Sequence, residues 1–210
     1  MKILYIDTSS SYLYCGIVCD DKLISEVKED LGQNLSRDAM PKIASMFEKS
    51  NMVPSDINKI IVVNGPGSFT GIRVGLTIAK VYAWSLNIPI TTITSLEAMK
   101  ESCSFDDYIV SVIDARRDYS YAAIYNKDEI ILNPQHISNE SLTSILNKLD
   151  NYIIVTNDNI NLNGKKCSYD PDILSIVKKY VEKENINPHY VNPEYLKLTE
   201  AEEKKEKEND

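Results

Sequence analysis

"VVNGPGSFTGIRVG", residues 62–75, is a hydrophobic strand that breaks into a glycine-rich loop and reopens as a helix. Loops of this kind often cradle phosphate, so two templates are tested first. A P-loop needs a lysine and a hydroxyl residue after its last glycine. Here Gly71 is followed by Ile72 and Arg73, and that template fails. The dinucleotide fingerprint is G-x-G-x-x-G, whereas Gly65, Gly67 and Gly71 are spaced G-x-G-x-x-x-G, with no acidic residue closing a strand at the expected distance. What survives is local chemistry. Gly65 and Gly67 flank Pro66 and permit a sharp turn with positive φ. Ser68 or Thr70, either side of Phe69, can cap the helix, which leaves two alternatives: a tight turn plus cap, or backbone N–H groups presented to an anion.

The surrounding pattern fixes the fold class. Strands are predicted at 3–7, 14–19 and 23–28, a helix at 35–50, a strand at 59–64, a helix at 69–86, and a strand at 90–94 that leads into a helix opened by "SLEAMKES". The second half repeats the theme, with strands at 109–113, 119–126 and 129–132, a helix at 138–149, a strand at 152–156 and a helix near 171–183. Each half reads β-β-β-α-β-α, which predicts an α/β protein of two lobes with mixed sheets covered by helices. The boundaries are an N-terminal lobe 1–101, a C-terminal lobe 102–199 and a charged tail 200–210. In the helix 35–50 the apolar residues Leu35, Ala39, Met40, Ile43, Ala44 and Phe47 share a stripe, and Pro41 inside it predicts a late start or a bend. The helix 69–86 carries a small-residue stripe of Gly71, Gly75, Ala79 and Ala83, opposed by Val74, Ile78, Val81 and Trp84. Two apolar faces leave two options, burial within the fold or a partner.

Composition narrows the function. The chain has 210 residues, a net charge of −8 and only four arginines: Arg37, Arg73, Arg116 and Arg117. Gripping nucleic acid alone takes a concentrated basic face, and none is present. No apolar run approaches the roughly 18 residues a membrane helix requires, and the N-terminus lacks a signal-peptide stretch, so a cytoplasmic protein without membrane contact is expected. Cys15, Cys19, Cys103 and Cys167 form no C-x-x-C pair, which points to free thiols. His136 and His189 make no metal-binding spacing, and no nucleophile elbow occurs. Asp7 and Asp114 each close a predicted strand. They cap turns there, or they face one cleft as a magnesium-holding or acid–base pair.

The stretches "ILYIDTSS", "VVNGPGSFTGIRVGLTIAK", "IPITTITSLEA", "VIDARRDYSYAAIY" and "NPEYLKLTEAE" together resemble the TsaB (YeaZ) family of bacterial tRNA-modification proteins. Some members carry a histidine ahead of the first helix, where this chain reads "LGQNLSRDAM". The resemblance implies the two-lobed actin-like, sugar-kinase-like fold. It also implies a non-catalytic relative of TsaD, the subunit that transfers threonylcarbamoyl to the adenosine next to the anticodon. ATP and metal would then belong to partner subunits, with no cofactor on this chain. Expected partners are a TsaD-type subunit in a heterodimer, a TsaE-type ATPase, a second copy when alone, and tRNA only through the complex. By the same resemblance the interface candidates are Met40, Ile43, Phe47, Val74, Ile78 and Trp84, and a vestigial nucleotide cleft would comprise Asp7, Thr8, Ser9, Asp114 and Arg116. The competing expectations are an ATP-dependent phosphotransferase of the sugar-kinase type, resting on Asp7, Asp114 and the shared fold, and a peptidase, for which no ligand set or nucleophile–base pair is present.

Overall fold

A computed structural model describes residues 1–197. The charged tail expected at 200–210 lies outside the described residues. The chain opens with β1 (Lys2–Asp7), β2 (Tyr12–Cys19) and β3 (Lys22–Asp30), then α1 (Leu35–Lys49), β4 (Lys59–Val63), α2 (Phe69–Leu86), β5 (Ile90–Ile93) and α3 (Ser95–Lys100). The strands form one sheet in the order β3-β2-β1-β4-β5. β1 sits in the middle, with Tyr5 opposite Gly16 on antiparallel β2 and opposite Ile61 on parallel β4. Five of its six residues are buried, as expected of a strand covered on both faces. β3, by contrast, alternates between exposed and half-buried residues along its whole length and forms the sheet edge.

The second half contributes β6 (Tyr108–Asp114), β7 (Tyr119–Asn126), β8 (Glu129–Ser138), α4 (Asn139–Leu146), β9 (Tyr152–Val155), β10 (Lys165–Cys167) and α5 (Ile173–Tyr180). Its sheet runs β10-β9-β6-β7-β8, the first sheet's order repeated position for position. The doubled β-β-β-α-β-α pattern read from the sequence is therefore a doubled sheet topology.

Three clusters of buried side chains hold the layers together. One lies between the first sheet and α1 and α2, and includes Leu4, Ile6, Ile43, Phe47, Ile60, Ile72 and Ile78. A second fills the space between the two sheets, where α3 and α5 are sandwiched: Tyr5, Ile61, Leu96, Tyr125, Ile153 and Ile176 meet there. The third packs α4 onto the outer face of the second sheet.

After β10 the chain leaves the second sheet. α5 packs against β1, β2 and β3. The Ile186 N–H donates to the Ile90 carbonyl at 2.7 Å, and Val191 is buried in the first cluster. Within the segment expected as a C-terminal lobe, 102–199, α5, Ile186 and Val191 make their contacts with the first sheet and its core.

α1 also runs unbroken from Leu35, neither late nor interrupted at Pro41. Pro41 and Arg37, four residues before it, are both exposed, so the carbonyl that loses its donor lies toward water. β10 has no precursor in the sequence reading, since Lys165, Lys166 and Cys167 show no apolar alternation. β8 extends to Ser138, well past the predicted 132.

Candidate functional site: a plugged cleft and an exposed helical face

The GPGSFTGIR loop is built by contacts with its own chain. Gly65 and Gly67 adopt φ of +113° and +152°. A side chain on Gly67 would meet the Ser9 carbonyl, one on Gly71 the Thr8 carbonyl, and one on Gly75 the Thr8 hydroxyl. The loop and the first turns of α2 therefore lie directly on the end of β1. The Ser68 N–H donates to the Ser9 carbonyl at 2.7 Å, and the Thr8 Oγ1 donates to the Gly71 carbonyl at 2.7 Å. Ser68, not Thr70, caps the helix, its Oγ accepting from the Gly71 N–H at 3.2 Å. Ser95 closes the loop from α3, donating its N–H to Gly65 at 2.8 Å and its hydroxyl to Pro66 at 2.6 Å. The small-residue stripe is thereby explained by close packing within the fold, the first of the two options its pattern allowed.

Between the lobes lies a cleft of about 1670 Å³, whose lining includes Ser9, Ser68, Asp114, Arg116, Asn157 and Tyr169. Asp7 does not open into it in the way its pairing with Asp114 required. It is buried, its Oδ1 accepting from the Ser9 N–H at 2.8 Å and its Oδ2 from the Tyr169 hydroxyl at 2.7 Å. Burial pushes the Asp7 carboxyl above the usual carboxylate range, while those two hydrogen bonds pull it partly back. Tyr169 is itself fixed: its N–H donates to Asn157 Oδ1 at 2.8 Å, and Asn157 Nδ2 donates to its carbonyl at 3.0 Å. Burial beside Asp7 drives the Tyr169 phenol well above its ordinary range, so it stays a donor. Asp114 lines the cleft, but its Oδ1 accepts from the Arg116 N–H at 2.8 Å within its own hairpin. The two carboxylates do not form a facing pair: Tyr169, a residue no sequence pattern marked, stoppers one of them. Of the two residues placed with the cleft by resemblance, Thr8 gives its hydroxyl to the Gly71 carbonyl, while Ser9 lines the cleft and accepts the Ser68 N–H at its carbonyl. Among the described residues, no group of three or more His, Cys, Asp or Glu side chains could hold a metal ion.

The second feature is the outer face of α1 and α2. Ile43, Phe47 and Ile78, expected at an interface, are buried in the first core and are withdrawn from it. They sit on the inward side of the apolar stripe, which is wider than one face needs. Met40 on α1 remains 41% exposed and Trp84 on α2 67% exposed, while Val74 is half-buried against the first core. Val81, which shares the Trp84 side of α2, is 56% exposed. At the N-terminal end of α2, Phe69 is exposed beneath the Arg73 guanidinium at 3.5 Å, and Arg73 Nε donates to the Tyr195 hydroxyl at 3.1 Å. Large apolar side chains gathered on one helix face mark an interaction surface.

Comparison with known proteins sets these features in a family. The family model described as TsaD, tRNA N6-adenosine threonylcarbamoyltransferase, matches residues 27–169. The chain is 33% identical to the tRNA threonylcarbamoyladenosine biosynthesis protein TsaB of Bacillus subtilis, with 97% of each chain covered. It is 29% identical to TsaB of Escherichia coli over 61% of this chain and 57% of that one. Among solved structures, a Pseudomonas aeruginosa protein described as similar to peptidase YEAZ superposes with a TM-score of 0.79, at 17% identity, covering 93% of this chain and 99% of that one. YeaZ from Pseudomonas aeruginosa superposes at 0.75 with the same coverage and 16% identity. These superpositions establish the two-lobed actin-like, sugar-kinase-like fold. With similarity running through nearly its whole length, the chain belongs to the TsaB (YeaZ) family, within the wider TsaD family whose model it matches.

Proposed function

We propose that this chain is a non-catalytic subunit of the machinery that makes threonylcarbamoyladenosine next to the tRNA anticodon, acting by binding a TsaD-type subunit. The observation that carries this is the 33% identity to the Bacillus subtilis TsaB over 97% of both chains. The geometry supports it from two sides. The buried carboxylate at the end of β1 is tied up by Tyr169 and the Ser9 N–H, which leaves it no freedom to serve a reaction in the cleft. The exposed Met40 on α1 and the exposed Val81 and Trp84 on α2 offer a helical docking surface. In this proposal ATP, metal and the transfer chemistry reside on the TsaD-type and TsaE-type partners in the cytoplasm. The tRNA meets the chain only in the complex, and the same helical face pairs two copies when the partner is absent. The test is reconstitution of tRNA modification from the purified partners with and without this chain. A full rate without it overturns the proposal.

The size of the cleft favours one alternative, an ATP-dependent phosphotransferase of the sugar-kinase type. Fold alone does not decide between them. Tight binding of magnesium–ATP by the isolated chain, measured by calorimetry, would support the alternative.

A further inference from the structure

The hairpin between β6 and β7, "DARRD", is not used by the proposed docking face. It holds Arg116 and Arg117, half of the four arginines of an acidic chain. Arg116, Arg117 and Asp118 take φ of +65°, +53° and +61°, three successive left-handed residues with no glycine among them. Such a run is costly and persists only where its surroundings over-determine it. They do so here. The Arg116 N–H donates to Asp114 Oδ1 and the Asp114 N–H to Asp158 Oδ2, both at 2.8 Å. The Ala115 N–H donates to the Tyr119 carbonyl at 2.9 Å, the Tyr119 N–H to the Arg116 carbonyl at 3.1 Å, and the Asn139 N–H to the Asp118 carbonyl at 2.8 Å.

The consequence is electrostatic. The nearby carboxylates of Asp114 and Asp158 are engaged with backbone N–H groups, and neither guanidinium has an ion-pair or hydrogen-bond partner among the described residues. Both arginines are exposed. Beside them lies a stacked aromatic pair. Tyr119, 42% exposed, stacks on His136 with centroids 4.7 Å apart and planes 8° apart, and Tyr121, which lines the cleft, lies 5.5 Å from His136 with its ring tilted by 50°. Two exposed guanidiniums without an ion-pair partner among the described residues, carried on a braced hairpin next to an exposed ring, suit a ligand that carries phosphates and stackable bases together. Single-stranded RNA has that chemistry.

We propose that the Arg116–Arg117 hairpin and the Tyr119–His136 pair contact an unpaired segment of the tRNA in the assembled complex, the arginines on phosphate and Tyr119 against a base. This rests on the function proposed above. The net charge of −8 explains why the contact operates in the complex, where a partner holds most of the RNA, and not on the isolated chain.

The experiment uses the assembled complex and an unmodified tRNA transcript, with affinity measured across a salt series and assembly followed by light scattering. Replacing both arginines, Arg116→Ala with Arg117→Ala, is expected to weaken tRNA binding about tenfold and to flatten the log–log salt slope by about 1.4, the value for two single-strand phosphate contacts. Tyr119→Ala is expected to weaken binding about fivefold or more with the salt slope unchanged. The Arg116→Lys, Arg117→Lys pair should restore most of the slope. Unaltered tRNA affinity and slope in an intact complex overturn the inference. So does loss of assembly in the double-alanine variant, which would make a carboxylate-bearing protein the occupant. If the wild-type chain proves dispensable for modification, the proposed function falls, a result that the binding data do not mimic.

Discussion

Removing one oxygen from the floor of the cleft tests how Asp7 is held. In Tyr169→Phe the ring and its packing against Tyr14 stay, and only the hydroxyl that donates to Asp7 at 2.7 Å is lost. Both partners are buried, so no bulk water replaces it. A buried hydrogen bond to a charged group contributes about 1.5–3 kcal/mol and one between neutral groups about 1 kcal/mol. The expected loss is therefore about 2 kcal/mol with Asp7 ionised and about half that with it protonated.

The pH dependence follows from the direction of the Asp7 shift. Burial places its folded value above the ordinary 3.8, so the folded state binds the proton more tightly than the unfolded one. Stability linked to Asp7 is greatest below the unfolded value, declines as pH rises from there to the folded value, and is level above it. The Tyr169 bond favours the ionised form, and losing it moves the folded value further up and widens the declining window. The variant's deficit should thus be small near pH 4 and largest near pH 8, as set by the linkage between proton binding and folding. Denaturant unfolding at the two pH values reads this directly, and about 2 kcal/mol corresponds to a melting shift of roughly 4–8 °C for a chain of this size. In an Asp7→Asn background the Tyr169→Phe loss should shrink to about 1 kcal/mol, because only a neutral bond remains to be broken. Equal losses at both pH values, together with strict additivity in the Asp7→Asn cycle, would refute the account of Asp7 as a buried, Tyr169-supported carboxylate.

Trp84→Glu should leave the melting temperature within experimental scatter and weaken binding to the TsaD-type subunit by at least about tenfold, since it places an unpaired charge in a desolvated contact. Ile43→Ala, in the α1 stripe that also carries Met40 but fully buried, should instead cost about 2–5 kcal/mol of stability, measured by urea unfolding. Gly71→Ala should destabilise by about 1–3 kcal/mol, as its methyl would meet the Thr8 carbonyl and push α2 off the end of β1; thermal melts check this, and an unchanged melt would contradict the close approach.

The sequence by itself determined the type and order of nearly every element. Hydrophobic period marks strands and helices through local residues, and the doubled pattern carries over into two sheets of identical strand order. It also limited the loop: the wrong spacing after Gly67 and the Ile72–Arg73 pair rule out two phosphate templates without any coordinates. Which side of a two-faced helix is buried is not a local property. Ile43 and Phe47 share a stripe with Met40, and only the position of the first sheet separates core from surface among them. The partner of Asp7 was equally out of reach, because Tyr169 lies 162 residues away and carries no pattern of its own. Tertiary structure alone also sent α5 back to the first sheet and gave the small-residue stripe its occupant, the end of β1. In each case the deciding contact joins segments distant along the chain, where burial and hydrogen-bond satisfaction are settled by what the whole fold brings together and not by neighbouring residues.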